Sequence, residues 1–172
     1  PGVVGQAFSL DGYSYVEAPD SPSLTFYDQI TIDAWVMPTA GAGPETCMRI
    51  VDKITAGGSD GFLLDLCNGT TPRFLVGYQW VSAVTPLPLN EFSHVAGVFD
   101  GMELRLYING ILDASTPAYD YPPTNLLPLR IGADSNGGEN FVGLIDEVEL
   151  YNRALTEAEI QGIVNAGSAG KC

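Results

Sequence analysis

The chain is 172 residues long, enough for one domain with a substantial core. Seven Lys and Arg against 21 Asp and Glu give a formal charge of −14, which repels nucleic acid and anionic membranes because both are bound through clustered basic side chains. No run of about 18 apolar residues is present to insert into a membrane. The opening Pro1-Gly2-Val3-Val4-Gly5 also lacks the charged and apolar regions of a signal peptide, so any leader is expected outside these residues.

Twenty Gly and twelve Pro in a chain that is 45% hydrophobic fit many short strands joined by tight turns. In chain order, runs rich in β-branched and aromatic residues occur at 15–17, 30–37, 48–52, 62–67, 74–78, 94–99, 104–109, 129–132 and 142–151. Between them lie Asp11-Gly12, Asp60-Gly61, Asn68-Gly69, Asp100-Gly101 and Asn109-Gly110, dipeptides that supply the positive φ of hairpin turns. Asp100-Gly101, set between two apolar runs, is the clearest hairpin. Within the runs the period is two: Ile30, Ile32, Ala34 and Val36 oppose Thr31, Asp33 and Trp35, and Leu104, Leu106 and Ile108 oppose Arg105, Tyr107 and Asn109. Residues 117–128 are Pro-rich and read as a long surface loop or crossover. Near the C-terminus Thr156-Glu157-Ala158-Glu159 is a capping box, with Leu155 and Ile160 at the staple positions and Gly167 suited to the end of a short packing helix. Strands at this spacing with one helix predict an all-β, antiparallel two-sheet sandwich.

Cys47 and Cys67 flank a turn centred on Gly57. A hairpin symmetric about that turn sets Lys53 opposite Gly61 and Cys47 opposite Cys67. Opposed residues have Cβ atoms about 4.5–5.5 Å apart, so a slight local adjustment would close a disulfide. We therefore expect the bond and an oxidising compartment, with two buried thiols as the alternative. Cys172 is left over, and its partner is expected beyond this chain.

Four segments carry a family resemblance: Ala7-Phe8-Ser9-Leu10-Asp11-Gly12 leading to Tyr15-Val16-Glu17; Ile30-Thr31-Ile32-Asp33-Ala34-Trp35-Val36; His94-Val95-Ala96 through Asp100-Gly101 to Leu106-Tyr107-Ile108-Asn109-Gly110; and Phe141-Val142-Gly143-Leu144-Ile145-Asp146-Glu147-Val148 with Tyr151-Asn152-Arg153-Ala154-Leu155. In this order they resemble the laminin-G-like jelly rolls of the concanavalin A-like superfamily, in the form found in bacterial multi-domain proteins and distantly in pentraxins. The resemblance implies a single jelly-roll module over residues 1–172, excised from a larger extracellular or cell-surface protein. It fits lectins, glycanases, pentraxins and plain spacers alike.

That resemblance also implies a structural calcium, held by Asp146 with Asp11 and Asp20 as loop candidates, since a hard cation wants six to eight oxygens. A second acidic loop, with Asp134, Asn136 and Glu139, precedes the segment 141–148 as the ligand-calcium loop of pentraxins does, and is a candidate for calcium or a sugar hydroxyl; Gly-Asn-Ser loops without ligands are the plainer alternative. Sugar binding asks for an aromatic platform with planar polar groups. Trp80, at the end of a strand, with Arg73 and Arg49 is the candidate set, and packing is the competing role for each. Asn68-Gly69-Thr70 is an N-glycosylation sequon, meaningful in a eukaryotic source.

Catalytic chemistry has one weak candidate. Glu147 and Glu149, two apart on a strand, are expected on one face about 6.6–6.8 Å apart along the chain, a spacing compatible with a glycosidase pair. The run Asp146-Glu147-Val148-Glu149 departs from the superfamily's glucanase pattern, so solvated strand carboxylates are the preferred reading. The single histidine, His94, opens a core strand and reads as structural. One His and two paired Cys leave little for zinc. The expectation is therefore a non-catalytic carbohydrate-binding module whose partners are a glycan or extracellular polysaccharide and other domains of its parent chain. A protein-binding or spacer module is the second reading and a glycoside hydrolase the third.

Overall fold

The computed structural model describes residues 1–119 and 122–170. Its strands are β1 (Phe8–Asp11), β2 (Val16–Ala18), β3 (Ile30–Pro38), β4 (Ala42–Lys53), β5 (Phe62–Gly69), β6 (Thr71–Val76), β7 (Gln79–Ser82), β8 (Ser93–Phe99), β9 (Glu103–Ile108), β10 (Ile111–Pro117), β11 (Leu129–Ile131) and β12 (Val142–Tyr151), followed by the helix α1 (Glu157–Ala166). They form two antiparallel six-stranded sheets. The first runs β1-β12-β3-β8-β9-β10 and the second β2-β11-β4-β5-β6-β7. This is the expected two-sheet sandwich.

The alternation read from the sequence builds the core. Ile30, Ile32, Ala34 and Val36 of β3 are fully buried and meet Leu64, Leu66 and Phe74 from the facing sheet. Between the sheets, Gly97 of β8 faces the Phe74 ring of β6. A methyl on Gly97 would sit 2.4 Å from the Phe74 ring, so only a bare Cα fits.

The β4–β5 hairpin contains a correction. Lys53 pairs with Phe62 rather than Gly61, and Asp52 and Val51 follow in the same register. Ile50 is then skipped, so that Arg49 meets Asp65 and Cys47 meets Cys67. A β-bulge, one extra residue in β4, thus restores the expected Cys47–Cys67 opposition. The disulfide is formed, with the two Cα atoms 4.1 Å apart.

Three strands escaped the sequence reading. β1 and β10 are edge strands whose residues are mostly exposed, so apolar alternation is faint. The run 74–78 is not one strand: the chain turns at Gly77, with φ +62°, and Gln79–Ser82 returns as edge strand β7. Pro117 of the Pro-rich stretch ends β10, residues 118, 119 and 122–128 belong to the crossover from β10 in one sheet to β11 in the other, and residues 120 and 121 lie outside the described residues. The Asp100 turn forms as expected, its Oδ1 accepting the N–H groups of Met102 and Glu103 at 2.9 Å.

Helix α1 begins with the predicted capping box, Thr156 accepting from Glu159 N–H and Glu159 from Thr156 N–H. Ile160 is buried on the outer face of the first sheet, against Ala96, Val98, Tyr107 and Leu155. Among the described residues no helix is long and apolar enough to cross a membrane.

Candidate functional site: the outer face of the second sheet

Residues paired across a sheet share a face, so the register of the second sheet defines its outer surface. One row reads Arg49, Asp65, Arg73, Ser82 across β4, β5, β6 and β7. The neighbouring row reads Glu17, Arg130, Asp52, Leu63, Leu75, Trp80 from β2 to β7. On the other side lies the disulfide, with Thr71 beside Cys67. Polar residues alternate here with Phe62, Leu64, Leu66 and Phe74, which face the core, so one strand period produces both surfaces.

At the centre is Asp65, fully buried, between Arg49 and Arg73. Arg73 grips it bidentately, Nε to Oδ1 at 3.1 Å and Nη2 to Oδ2 at 2.7 Å, and hydrogen bonding to Asp65 holds the Arg73 pKa above its ordinary value against desolvation. Arg49 gives its three nitrogens to three carboxylates: Nη1 to Asp65, Nη2 to Glu139 and Nε to Asp52 at 3.1 Å. Burial pushes the Asp52 carboxyl up to about 7 although Arg49 pulls the other way.

The predicted ligand residues divide accordingly. Arg49 is buried and ion-paired with three carboxylates, and so ties β4 to β5 and to the loop 132–140 rather than standing open at the surface. Its backbone N–H donates to Glu139 O at 2.9 Å. Asp134 shapes that loop, its Oδ1 accepting from Asn136 N and Gly138 N at 2.9 and 2.7 Å. Asn136 is exposed at the loop tip. This loop adjoins β4, three strand spacings or about 14 Å from β7, so the structure does not bring Asp134, Asn136 and Glu139 to Trp80.

Trp80 and Arg73 do meet. Trp80 is 57% exposed in the middle of edge strand β7, rather than at a strand end. With Arg73, Ser82, Asn68, Glu45 and the disulfide it lines an open depression of about 260 Å³. On its other side Trp80 borders a second depression of about 230 Å³ with Tyr78, Gln79, Thr116 and Pro117. Tyr119, also exposed, is fastened nearby by its N–H to Gln79 Oε1 at 2.9 Å. Glu45, Asn68, Ser82, Tyr78 and Tyr119 were missed because only pairing and a long-range loop place them around Trp80. Asp65 had a signal: it is the one charge inside Phe62-Leu63-Leu64-Asp65-Leu66-Cys67.

The calcium candidates are scattered. Asp146 is buried on β12, its Oδ2 accepting Val4 N–H and its Oδ1 accepting Glu147 N–H, both at 3.0 Å. The N-terminal turn presses on it so closely that a Cβ on Gly2 would lie 2.2 Å from Oδ2. Both oxygens of the Asp146 carboxylate thus accept backbone N–H groups, so a cation there would have to share the carboxylate with these donors. Asp11 stands opposite Val142, four residues along β12 or about 13 Å away. Its Oδ1 accepts from the Ser14 hydroxyl and the N–H groups of Ser14 and Tyr13, bonds that bring its pKa down to about 2. Asp20 binds Lys53 Nζ at 2.7 Å, at the end of the other sheet. The three do not form one ligand set.

The carboxylate pair on β12 also differs from expectation. A bulge between Asp146 and Glu149, with Glu147 at φ +48°, breaks the alternation. Asp146 and Glu149, opposite Trp35 and Asp33, therefore share the outer face of the first sheet, not Glu147 and Glu149. Glu149 accepts the Tyr151 hydroxyl. His94 is buried there, its Nε2 3.4 Å from Asp33 Oδ1 and its ring edge-on to Trp35.

Comparison with known proteins agrees with the architecture. A search of curated protein sequences returned no match. Among solved structures, a protein from Bacteroides ovatus assigned as carbohydrate-binding superposes with a TM-score of 0.75 at 18% identity, over 94% of this chain and 48% of its own; this chain spans about half its length. The CBM40 of a Ruminococcus gnavus sialidase, bound to α2,3-sialyllactose, gives 0.75 at 16%, over 95% of this chain and 100% of the module. Domain 4 of AbnA, a GH43 extracellular arabinanase from Geobacillus stearothermophilus, in complex with arabinotriose, gives 0.70 at 22%, over 92% and 76%. At these identities the likeness is one of fold. The model of the family Laminin_G_3 matches residues 10–161, nearly the whole chain, so the protein belongs to this family of the concanavalin A-like lectin/glucanases superfamily.

Proposed function

We propose that the chain is a non-catalytic carbohydrate-binding module of a secreted multi-domain protein, with its site at the Trp80 edge of the second sheet. The observation that carries this reading is Trp80 itself. A large indole more than half exposed, flanked by two depressions and by polar groups of the next strands, is the arrangement a sugar ring needs for stacking and hydroxyl recognition. Arg73 and Ser82 line the depression at its side; Tyr78 and Tyr119 extend the aromatic edge. Structural neighbours that are carbohydrate-binding modules of glycan-degrading enzymes support the reading, and the disulfide suits an oxidising, extracellular setting. A structural calcium at Asp146 belongs to the same proposal: the ion would pin the N-terminal turn to β12, away from the glycan face.

The test is a glycan-array screen of the purified module, in calcium and again in chelator. Binding that disappears in Trp80→Ala, with an unchanged far-ultraviolet spectrum and melting temperature, supports the site. Silence of the folded protein across a broad array overturns the carbohydrate reading in favour of an adhesion or spacer module.

A further inference from the structure

Resting on the carbohydrate-binding reading, we infer that the saccharide taken at the Trp80 edge is uncharged, and that sugars bearing a carboxylate, uronates and sialates alike, are excluded from it. The ground is that every Lys and Arg side chain among the described residues already has a carboxylate partner. Arg49 and Arg73 converge on Asp65, with Asp52 and Glu139 also on Arg49. Arg130 pairs with Glu17 at 2.9 Å and Lys53 with Asp20 at 2.7 Å. The remaining two, Arg105 and Arg153, pair with Asp100 and Glu159 at 2.8 Å. Lys171 lies outside the described residues.

On the candidate face the balance is negative. Its three guanidiniums stand among Glu17, Asp65 and Glu139, and Glu45 adds a further carboxylate at the rim of the depression, while Asp52, its carboxyl raised to about 7 by burial, carries part of a charge at neutral pH. An incoming carboxylate finds Nε and Nη2 of Arg73 already held by the fully buried Asp65, so the charge it would pair with is largely neutralised, and full engagement of the guanidinium would mean breaking a buried ion pair. The charge of −14 adds repulsion at longer range.

What the edge offers instead suits neutral hydroxyls. The Trp80 indole supplies a face for a sugar ring, the Ser82 hydroxyl and the Asn68 amide stand beside it, and the Glu45 carboxylate accepts from hydroxyl groups. None of these contacts needs a charge on the ligand.

The experiment measures binding of neutral gluco-, galacto-, manno- and arabino-oligosaccharides beside counterparts carrying a uronate or a sialate, and beside amine-bearing oligosaccharides of chitosan type, at low and high salt. The expected result is affinity for neutral ligands about tenfold or more above that for acidic ones, unchanged by salt and lost in Trp80→Ala. Equal or stronger binding of acidic glycans, weakening with salt, overturns this inference while leaving the carbohydrate reading intact. A preference for the amine-bearing set does the same. Silence across all sets overturns the carbohydrate reading and this inference with it.

Discussion

Both oxygens of the Asp65 carboxylate are held by the Arg73 guanidinium, at 3.1 Å and 2.7 Å, and the same carboxylate takes Nη1 of Arg49. One buried acid thus joins β4, β5 and β6 under the candidate glycan site. Asp65→Ala leaves two guanidiniums, one of them buried, without their shared partner. The expected loss is about 3–5 kcal/mol, read from urea unfolding. A loss under about 1 kcal/mol, the usual worth of an exposed ion pair, would mean that water replaces the carboxylate.

Gly97 and Phe74 make a second sharp test. A methyl at Gly97 meets the Phe74 ring at 2.4 Å, a distance no side chain accepts without movement. Gly97→Ala is expected to destabilise by about 1–3 kcal/mol. Adding Phe74→Leu to it should cost less than the two single changes summed, because the second makes room for the first. Additive losses would place the clash elsewhere.

The disulfide closes a loop of sequence separation 20. Replacing both cysteines by serine is expected to lower stability by about 3 kcal/mol through the unfolded chain. The midpoint of denaturation should fall by the corresponding amount, and a reducing agent should reproduce the effect in the native sequence. An unchanged midpoint with reductant would show that the bond adds nothing to the pairing of β4 with β5.

The pH dependence follows from Asp52. Its carboxyl is raised from 3.8 to about 7, so the folded protein keeps a proton there that the unfolded chain releases. The favourable contribution is complete below pH 3.8 and is lost as pH rises through 7. Asp52→Asn, which mimics the protonated form, should flatten the stability profile across that window. A profile of the same slope in the variant would assign the titration to another group.

Calcium is tested by melting. An ion that binds only the native state raises the melting temperature, by several degrees when well above its dissociation constant. The rise is expected with calcium, should vanish in chelator, and should be absent in Asp146→Asn. An identical melt in calcium and chelator would remove the ion from Asp146, and with it the proposed pin on the N-terminal turn.

Much of the fold was legible before any coordinates. Period-two runs located the central strands, the capping box located α1, and the hairpin count placed Cys47 beside Cys67. These are local signals, written within a few residues by side-chain alternation, turn chemistry and backbone capping. Edge strands β1, β7 and β10 were not legible, since an edge with exposed side chains carries little apolar alternation.

The site was legible only in part. The chain by itself shows an apolar strand interrupted by Asp65 and an indole near a turn; it does not show that Arg49 and Arg73 spend their charge on that acid. A bulge at Ile50 returns Arg49 to its place opposite Asp65 after the offset at Lys53–Phe62, and the tertiary structure adds Arg73 and Glu139 around that pair. A second bulge beyond Asp146 likewise decided which carboxylates share a face. A single inserted residue reverses the face of every side chain beyond it. Alternation therefore settles which strands exist, while the placement of bulges, set by packing between distant segments, settles which charges meet.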